Sequence, residues 1–415
     1  MYLKLISLLG LVSMVAVAWV LSVDRKRFPW RTVWWGLGLQ LMFAIVITRT
    51  RFGAVVFEWA QDAVNRLNLC AIEGAKMVFG PLADEKLLAN ALGPQNVFIF
   101  VVSVSATIIV VSALSSLLYH LGILQRVVAA MAWVMQRAMR TSGSETLSAA
   151  ANIFMGQTEA PLVIKPYLPR VTQSELLAIM VGGMATIAGG VAIAYVTLGV
   201  HAGHLLAASV MSAPASLMIA KIMLPEKEQS ETADTTAARK VEKIATNSID
   251  ALCRGASDGV ALAINVMAML IAFVAVVALA NFLLTRLQTA VGVAAPVNLQ
   301  TIFGWVNAPF AWLMGVPKKD CVAIGAILGE RIVLNEFIGY LSLTAKKAEL
   351  DQRSVIITTY ALCGFANFSS IAIQIGGIGA LAPSRRGDLA SLGLRAMIGG
   401  LLACYLTATV IGILL

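Results

Sequence analysis

Charge is what this chain has least of. Asp, Glu, Lys and Arg make up 13% of its 415 residues, hydrophobic residues make up 59%, and the mean hydropathy is +0.83. A soluble domain of this length needs more charge to cover its surface, so that class is excluded unless nearly every helix were apolar on all faces. Cysteine is sparse too. Cys70, Cys253, Cys321, Cys363 and Cys404 are odd in number and have no paired spacing, which argues against a disulfide framework and a zinc site. Of three histidines, His201 and His204 form an H-x-x-H pair with no acid or cysteine nearby in sequence, and read as loop histidines. The net charge of +9 comes without any stripe of interleaved aromatic and basic residues, so nucleic acid is not the partner. Basic residues sit instead in short loops between apolar runs, where they orient a chain in a membrane.

Several apolar runs are long enough to cross about 30 Å of hydrocarbon, which takes roughly 20 residues. The expected spans are 2–23, 32–48, 97–122, 174–200, 205–224, 250–287, 353–381 and 388–414. The first is longer than a signal-peptide core and is followed by Arg25, Lys26, Arg27 and Arg31 before a second apolar run, the pattern of a retained span. Residues 52–72 repeat apolar side chains at three- and four-residue steps and predict an amphipathic helix, lying either at the membrane interface or on the protein's own surface. Residues 301–316, with Pro309 inside, predict a second interfacial segment. The one clearly soluble stretch, 225–247, is a loop and not a domain.

Two stretches are too polar to be plain spans. In 143–170 a helix capped by Ser142 or Ser144 runs through Phe154, breaks over Gly156-Gln157-Thr158-Glu159-Ala160-Pro161, and resumes as a short helix ending near Pro166 or Pro169. In 318–346 the break falls at Leu334-Asn335-Glu336-Phe337. The arms are too short to cross, so both are expected to be re-entrant hairpins, with irregular backbone shielded by protein or a water-filled cavity. The spans 174–200 (Gly182, Gly183, Thr186, Gly189, Gly190) and 353–381 (Cys363 to Ile371) are expected to be discontinuous. The order hairpin, broken span, span thus occurs twice, the mark of a transporter built from two related halves with its site at their junction. The fold class expected is therefore an all-α integral membrane protein, with eight transmembrane helices, two re-entrant helical hairpins, an inverted repeat and discontinuous spans. Its divisions are 1–122 (scaffold spans and interfacial helix), 123–224 (first transport half), 225–249 (cytoplasmic loop), 250–300 (long scaffold helix) and 301–415 (second transport half). Eight crossings put most loop bases on the cytoplasmic side and both termini outside. Lys318, Lys319, Lys346 and Lys347 break the rule.

Ionisable groups inside a bilayer are costly and usually mark a pathway or a ligand. GQTEAP (156–161), LNEF (334–337) and CGFANFSSIA (363–372), in this order and spacing, resemble the concentrative nucleoside transporter family over nearly the whole chain. The resemblance implies a homotrimer in the bacterial inner membrane that imports nucleosides with a cation gradient, a transport domain moving against a scaffold as an elevator. It also implies that Gln157, Thr158 and Glu159 face the nucleobase, Glu159 directly or through water. Glu336, Asn367 and Ser370 match the ribose-binding set, and Asn152, Met155, Thr186 and Ile187 match the sodium positions. Threonine at 186 replaces a familiar serine there.

The chemistry of the residues agrees with this. A nucleobase needs an amide and a hydroxyl for its edge, which Gln157 and Thr158 supply, and an apolar wall for its face, for which Leu262 and Phe365 are candidates. A carboxylate accepts strong hydrogen bonds from sugar hydroxyls. Carbonyls freed by a broken helix suit a hard ion such as sodium. No organic cofactor is expected. Two other readings stay open at this level: a proton-coupled symporter using Glu159 or Glu336 as carrier, and an intramembrane nucleoside hydrolase with these two as paired acids.

Overall fold

The computed structural model describes residues 2–92, 99–232 and 245–415. Among these the chain is helical, without strands. The first long helices are α1 (Tyr2–Val20), α2 (Trp30–Arg49) and α3 (Arg51–Phe79), followed by the short α4 (Glu85–Leu92). Then come α5 (Phe100–His120) and α6 (Ile123–Met139), bent by 74° at Gly122, whose φ of 76° is the left-handed conformation that glycine adopts freely. The first two residues of the expected span 97–122, and residues 233–244 of the expected soluble loop, lie outside the described residues. Helix α6 itself had no counterpart in the sequence reading.

The first hairpin and its partners follow as α7 (Gly143–Ala151), α8 (Gln173–Ala185), α9 (Gly189–Thr197) and α10 (Ala202–Met223). Then come α11 (Ser248–Ala290) and α12 (Leu299–Leu313), the second hairpin as α13 (Cys321–Val333) and α14 (Glu336–Ala345), its broken helix as α15 (Gln352–Leu362) and α16 (Phe368–Leu381), and finally α17 (Arg386–Leu414). The twofold order of hairpin, broken helix and long helix is therefore realised. Both breaks expected in the spans appear, between Ala185 and Gly189 and between Leu362 and Phe368.

Two expectations are corrected. Helix α7 stops at Ala151, not Phe154, and the second arm of the first hairpin is two 3-10 turns, Ala160–Ile164 and Leu168–Arg170, each with a proline in its first positions. Three prolines in nine residues remove the donors an α-helix would need. Of the two histidines, His201 lies just outside α10 and caps it by accepting from the Gly203 amide at 3.1 Å, whereas His204 is not a loop residue but lies in the first turn of that helix, 3.1 Å from the Tyr360 hydroxyl.

Four continuous stretches are long and apolar enough to cross a membrane alone: α1, α2, α10 and the stretch Pro383–Leu414 that contains α17. The bent pair α5–α6 makes a fifth if counted as one span. The other expected spans are divided by their breaks or fall outside this measure. Burial sorts the four. The apolar window of α10 is 89% buried, that of α1 28%, so α10 is a core element while α1 turns most of its surface outward. Helix α3 answers the open question about residues 52–72 in part. Its small residues Gly53, Ala60, Ala71 and Ala75 are buried, whereas Phe52, Val55 and Trp59 are exposed. It packs through small side chains and presents large apolar ones away from the chain.

Four of the short helices begin on a polar cap. Ser142 and Glu145 form a capping box on α7, as Thr172 and Glu175 do on α8. Asn335 caps α14 through the Ile338 amide at 3.0 Å, and Asn367 caps α16 through the Ser370 amide at 2.9 Å. The basic loops gather at one end of the molecule. Asp24 pairs with Lys227 at 2.9 Å, Arg170 with Glu231 at 2.7 Å, Arg31 donates to the Ala138 carbonyl at 3.2 Å, and Arg385 reaches the Val171 carbonyl. A buried network at the same end ties the first hairpin to α10 and its following loop. Lys221 lies 2.8 Å from Glu145 and 3.1 Å from Glu226, and Ser144 donates to Glu175 at 2.9 Å.

Candidate functional site

The two hairpin turns and the two helix breaks converge on one another. The first turn, 152–159, lies against the α8–α9 break: the Gly189 amide donates to the Phe154 carbonyl at 3.2 Å, and Gly156 lies beside Ala188. Its tip reaches α16, where Gly377 packs directly on the Thr158 methyl, an approach that a β-carbon there would block. Gln157 is buried and joined to α16 twice, donating to Ser370 Oγ at 3.2 Å and accepting from Gln374 Nε2 at 3.1 Å.

Glu336 opens α14 at the second turn and is buried. Both its oxygens have donors: the Tyr195 hydroxyl on Oε1 at 2.8 Å, and Asn367 Nδ2 on Oε2 at 3.1 Å. The start of a helix favours a negative charge there. Asn367 is thus spent in two directions, its oxygen on the α16 cap and its nitrogen on Glu336. Each carboxylate oxygen keeps a lone pair, and the Asn367 amide keeps one N–H, for a further partner.

Glu336, Asn367, Ser370 and Gln157 therefore form one hydrogen-bonded neighbourhood built from both halves. Glu159 and Leu262 fall elsewhere. With Phe154 and Met155 they line a cavity of about 490 Å³ between the first turn and helices α5 and α11, whose other walls include Ser112, Ser116, Tyr119, Arg254 and Asp258. Phe365 is half-buried at the α15–α16 break and is not among the residues lining that cavity. Leu262 and Phe365, both candidates for the apolar wall, are carried on different elements, α11 and the second break.

Two of the four sodium candidates, Asn152 and Thr186, come together at Gly182. Asn152 Nδ2 and the Thr186 hydroxyl both abut Gly182: a β-carbon there would be 3.4 Å from the first, and the second donates to the Gly182 carbonyl at 2.9 Å. Asn152 is fully buried and its Oδ1 has no hydrogen-bond partner among the described residues. Neither the Met155 nor the Ile187 carbonyl accepts a backbone hydrogen bond there. Unpartnered oxygens are costly when buried unless something satisfies them, and oxygens of this kind suit a hard cation.

Three site neighbours escaped the sequence reading: Tyr195, Gln374 and Arg331. Arg331 is fully buried in α13. It donates to the carbonyls of Ala361 (2.8 Å) and Gly364 (3.2 Å) at the end of α15, and lies 3.1 Å from Cys404 Sγ. The signal was present, since each is a polar residue inside an otherwise apolar run.

The chain is similar to known nucleoside transporters. The C-terminal model of the Na+ dependent nucleoside transporters matches residues 204–412, the N-terminal model matches 9–82, and a nucleoside-recognition gate model matches 101–201. An uncharacterized transporter of Haemophilus influenzae is 44% identical over 98% of this chain and 97% of its own. Sodium/nucleoside cotransporter 1 of Rattus norvegicus is 39% identical over 99% of this chain, which spans 64% of that longer protein. Among solved structures, CNTnw in an inward-facing substrate-bound state superposes with a TM-score of 0.92 at 36% identity, covering 99% of this chain and 97% of that one. A CNTnw variant in an outward-facing state gives a TM-score of 0.93 at 36% identity, covering 99% and 98%.

Proposed function

The chain belongs to the sodium-dependent nucleoside transporter family, and we propose that it imports nucleosides by symport with sodium. The observation that carries this reading is the buried polar set Gln157–Ser370 and Tyr195–Glu336–Asn367, drawn from both halves of an otherwise apolar chain. Gln157, Thr158 and Glu159 meet the base, with Leu262 and Phe365 as apolar surfaces. Glu336, Asn367 and Ser370 meet the ribose. Sodium, carried as a second substrate, is held by Asn152 and Thr186 and by the carbonyls of Met155 and Ile187. Family membership makes the chain a transporter, and the hydrolase reading falls with it.

Residues 123–224 and 301–415 form the moving transport halves, and 1–122 with 250–300 the scaffold, in an elevator cycle. The cavity supports this division, since its walls come from the first turn on one side and α5 and α11 on the other. The protein works as a homotrimer in the bacterial inner membrane, with the gathered basic loops in the cytoplasm and both termini in the periplasm. One sodium per nucleoside suffices. A tenfold sodium gradient contributes about 1.4 kcal/mol. A potential of about 100 mV adds roughly 2.3 kcal/mol, and the sum sustains accumulation of about 500-fold.

Thr186→Val tests the coupling. Valine keeps the shape and removes the hydroxyl, so the sodium concentration for half-maximal uridine uptake into proteoliposomes should rise several-fold, and nucleoside affinity should recover at high sodium. Uptake that follows an imposed proton gradient in sodium-free vesicles and ignores added sodium would replace sodium by protons. The sugar offers an independent test. A deoxy nucleoside lacking a recognised hydroxyl leaves a buried acceptor unpaired, so 2′- or 3′-deoxyuridine should bind at least about tenfold more weakly than uridine, a difference of about 1.4 kcal/mol. Equal affinities for all three would remove Glu336, Asn367 and Ser370 from the ribose.

A further inference from the structure

Gln374 lies on α16, fully buried, and makes two hydrogen bonds through one nitrogen. Nε2 donates to the Met180 carbonyl at 3.0 Å and to Gln157 Oε1 at 3.1 Å. A backbone carbonyl can only accept, so the atom facing Met180 must be the amide nitrogen. The rest of the chain is then determined. A nitrogen with only protons to give requires the Gln157 oxygen opposite it. That turns the Gln157 nitrogen toward Ser370 Oγ, 3.2 Å away, which accepts. The Ser370 proton is left for whatever lies beyond. Donation starts at the Gln374 nitrogen, which gives one proton to the immovable Met180 carbonyl and the other to Gln157, whose own nitrogen passes donation on to the Ser370 hydroxyl.

Two further observations favour a dedicated arrangement. Gln374 Oε1 is buried without a hydrogen-bond partner among the described residues, so the side chain is anchored through its nitrogen at the expense of its oxygen. Gly183 on α8 leaves the crossing point of the two amides bare: a β-carbon there would come within 2.8 Å of both Gln157 Cβ and Gln374 Nε2.

We propose that Gln374 is a positioning residue that sets the polarity of the nucleoside site, holding Gln157 with its N–H groups outward and Ser370 as a donor, so that the site reads acceptor atoms and favours a base with a carbonyl edge over one with an amino group. The inference rests on the nucleoside reading of Gln157. Uridine and cytidine are the matched probes, alike in shape and differing at C4 by a carbonyl against an amino group.

Calorimetry at saturating sodium on the purified full-length protein tests it, with wild type, Gln374→Met, the shape-preserving Gln374→Glu, and Gln157→Ala. Wild type should bind uridine more tightly than cytidine. In both Gln374 variants uridine affinity should fall about tenfold while cytidine changes less than about threefold, because an unanchored Gln157 amide can turn either end to the base. A packing role alone would weaken both nucleosides equally, and that result overturns the inference. So does equal affinity in the wild type, or a uridine preference that survives in either assembled Gln374 variant. If Gln157→Ala leaves both affinities native, the nucleoside reading of Gln157 has itself failed. If it weakens uridine while the Gln374 variants keep the wild-type preference, only the orienting role of Gln374 has failed.

Discussion

Glu336→Gln should weaken uridine binding by about 10- to 100-fold while the protein still assembles. The surroundings of Glu336 explain both halves of that expectation. Its oxygens take donors from Tyr195 and Asn367. A glutamine can keep its own oxygen on Asn367 Nδ2 and donate its nitrogen to the Tyr195 hydroxyl, which can turn to accept. Tyr195 and Asn367 each keep a partner at this position, so the fold survives. The charge, however, is lost, and hydrogen bonds to charged groups contribute about 1.5–3 kcal/mol against about 1 for neutral ones. Asn367→Ala is the harsher change, since it removes the α16 cap and a Glu336 donor together. Titration calorimetry of both variants, with melting curves as the control, reads this directly. Near-native uridine affinity in Glu336→Gln would take the carboxylate out of the ribose site.

Arg331→Met should destabilise the whole protein by about 2–4 kcal/mol. Two opposing effects meet here. Burying a guanidinium is costly, and replacing a buried charge by an apolar side chain is often neutral or better when nothing else is left behind. Here something is left behind: the carbonyls of Ala361 and Gly364, at the open end of α15, lose their donors. Each buried unsatisfied group costs about 1–3 kcal/mol, and two of them outweigh the relief of desolvation. Since Arg331 also ties the second hairpin to the break that carries Phe365 and Asn367, nucleoside affinity should fall with stability. Arg331→Lys, able to reach one carbonyl but not both in fork geometry, should fall between. A melting temperature for the methionine variant equal to wild type would mean the carbonyls find other partners.

Some of this was legible in residue order alone. Apolar length placed α1, α2, α10 and α17, because a helix in lipid must satisfy its own backbone and needs about 20 apolar residues to cross. Polar residues inside apolar runs located both turns and both breaks, since such groups are too costly in hydrocarbon to be accidental. A cap at Ser142 or Ser144 was legible, and the fold uses Ser142. What residue order could not show depends on pairs far apart in the chain. That Tyr195 meets Glu336, 141 residues on, is decided by how α9 packs on the second hairpin. That Gln157 presents its nitrogen is decided by the Met180 carbonyl, through Gln374. A glutamine in a sequence has no direction; only a fixed acceptor on a neighbouring helix supplies one. The sequence by itself determined which groups would have to be buried. The tertiary structure decided who satisfies them, because hydrogen bonding is settled by distance in space.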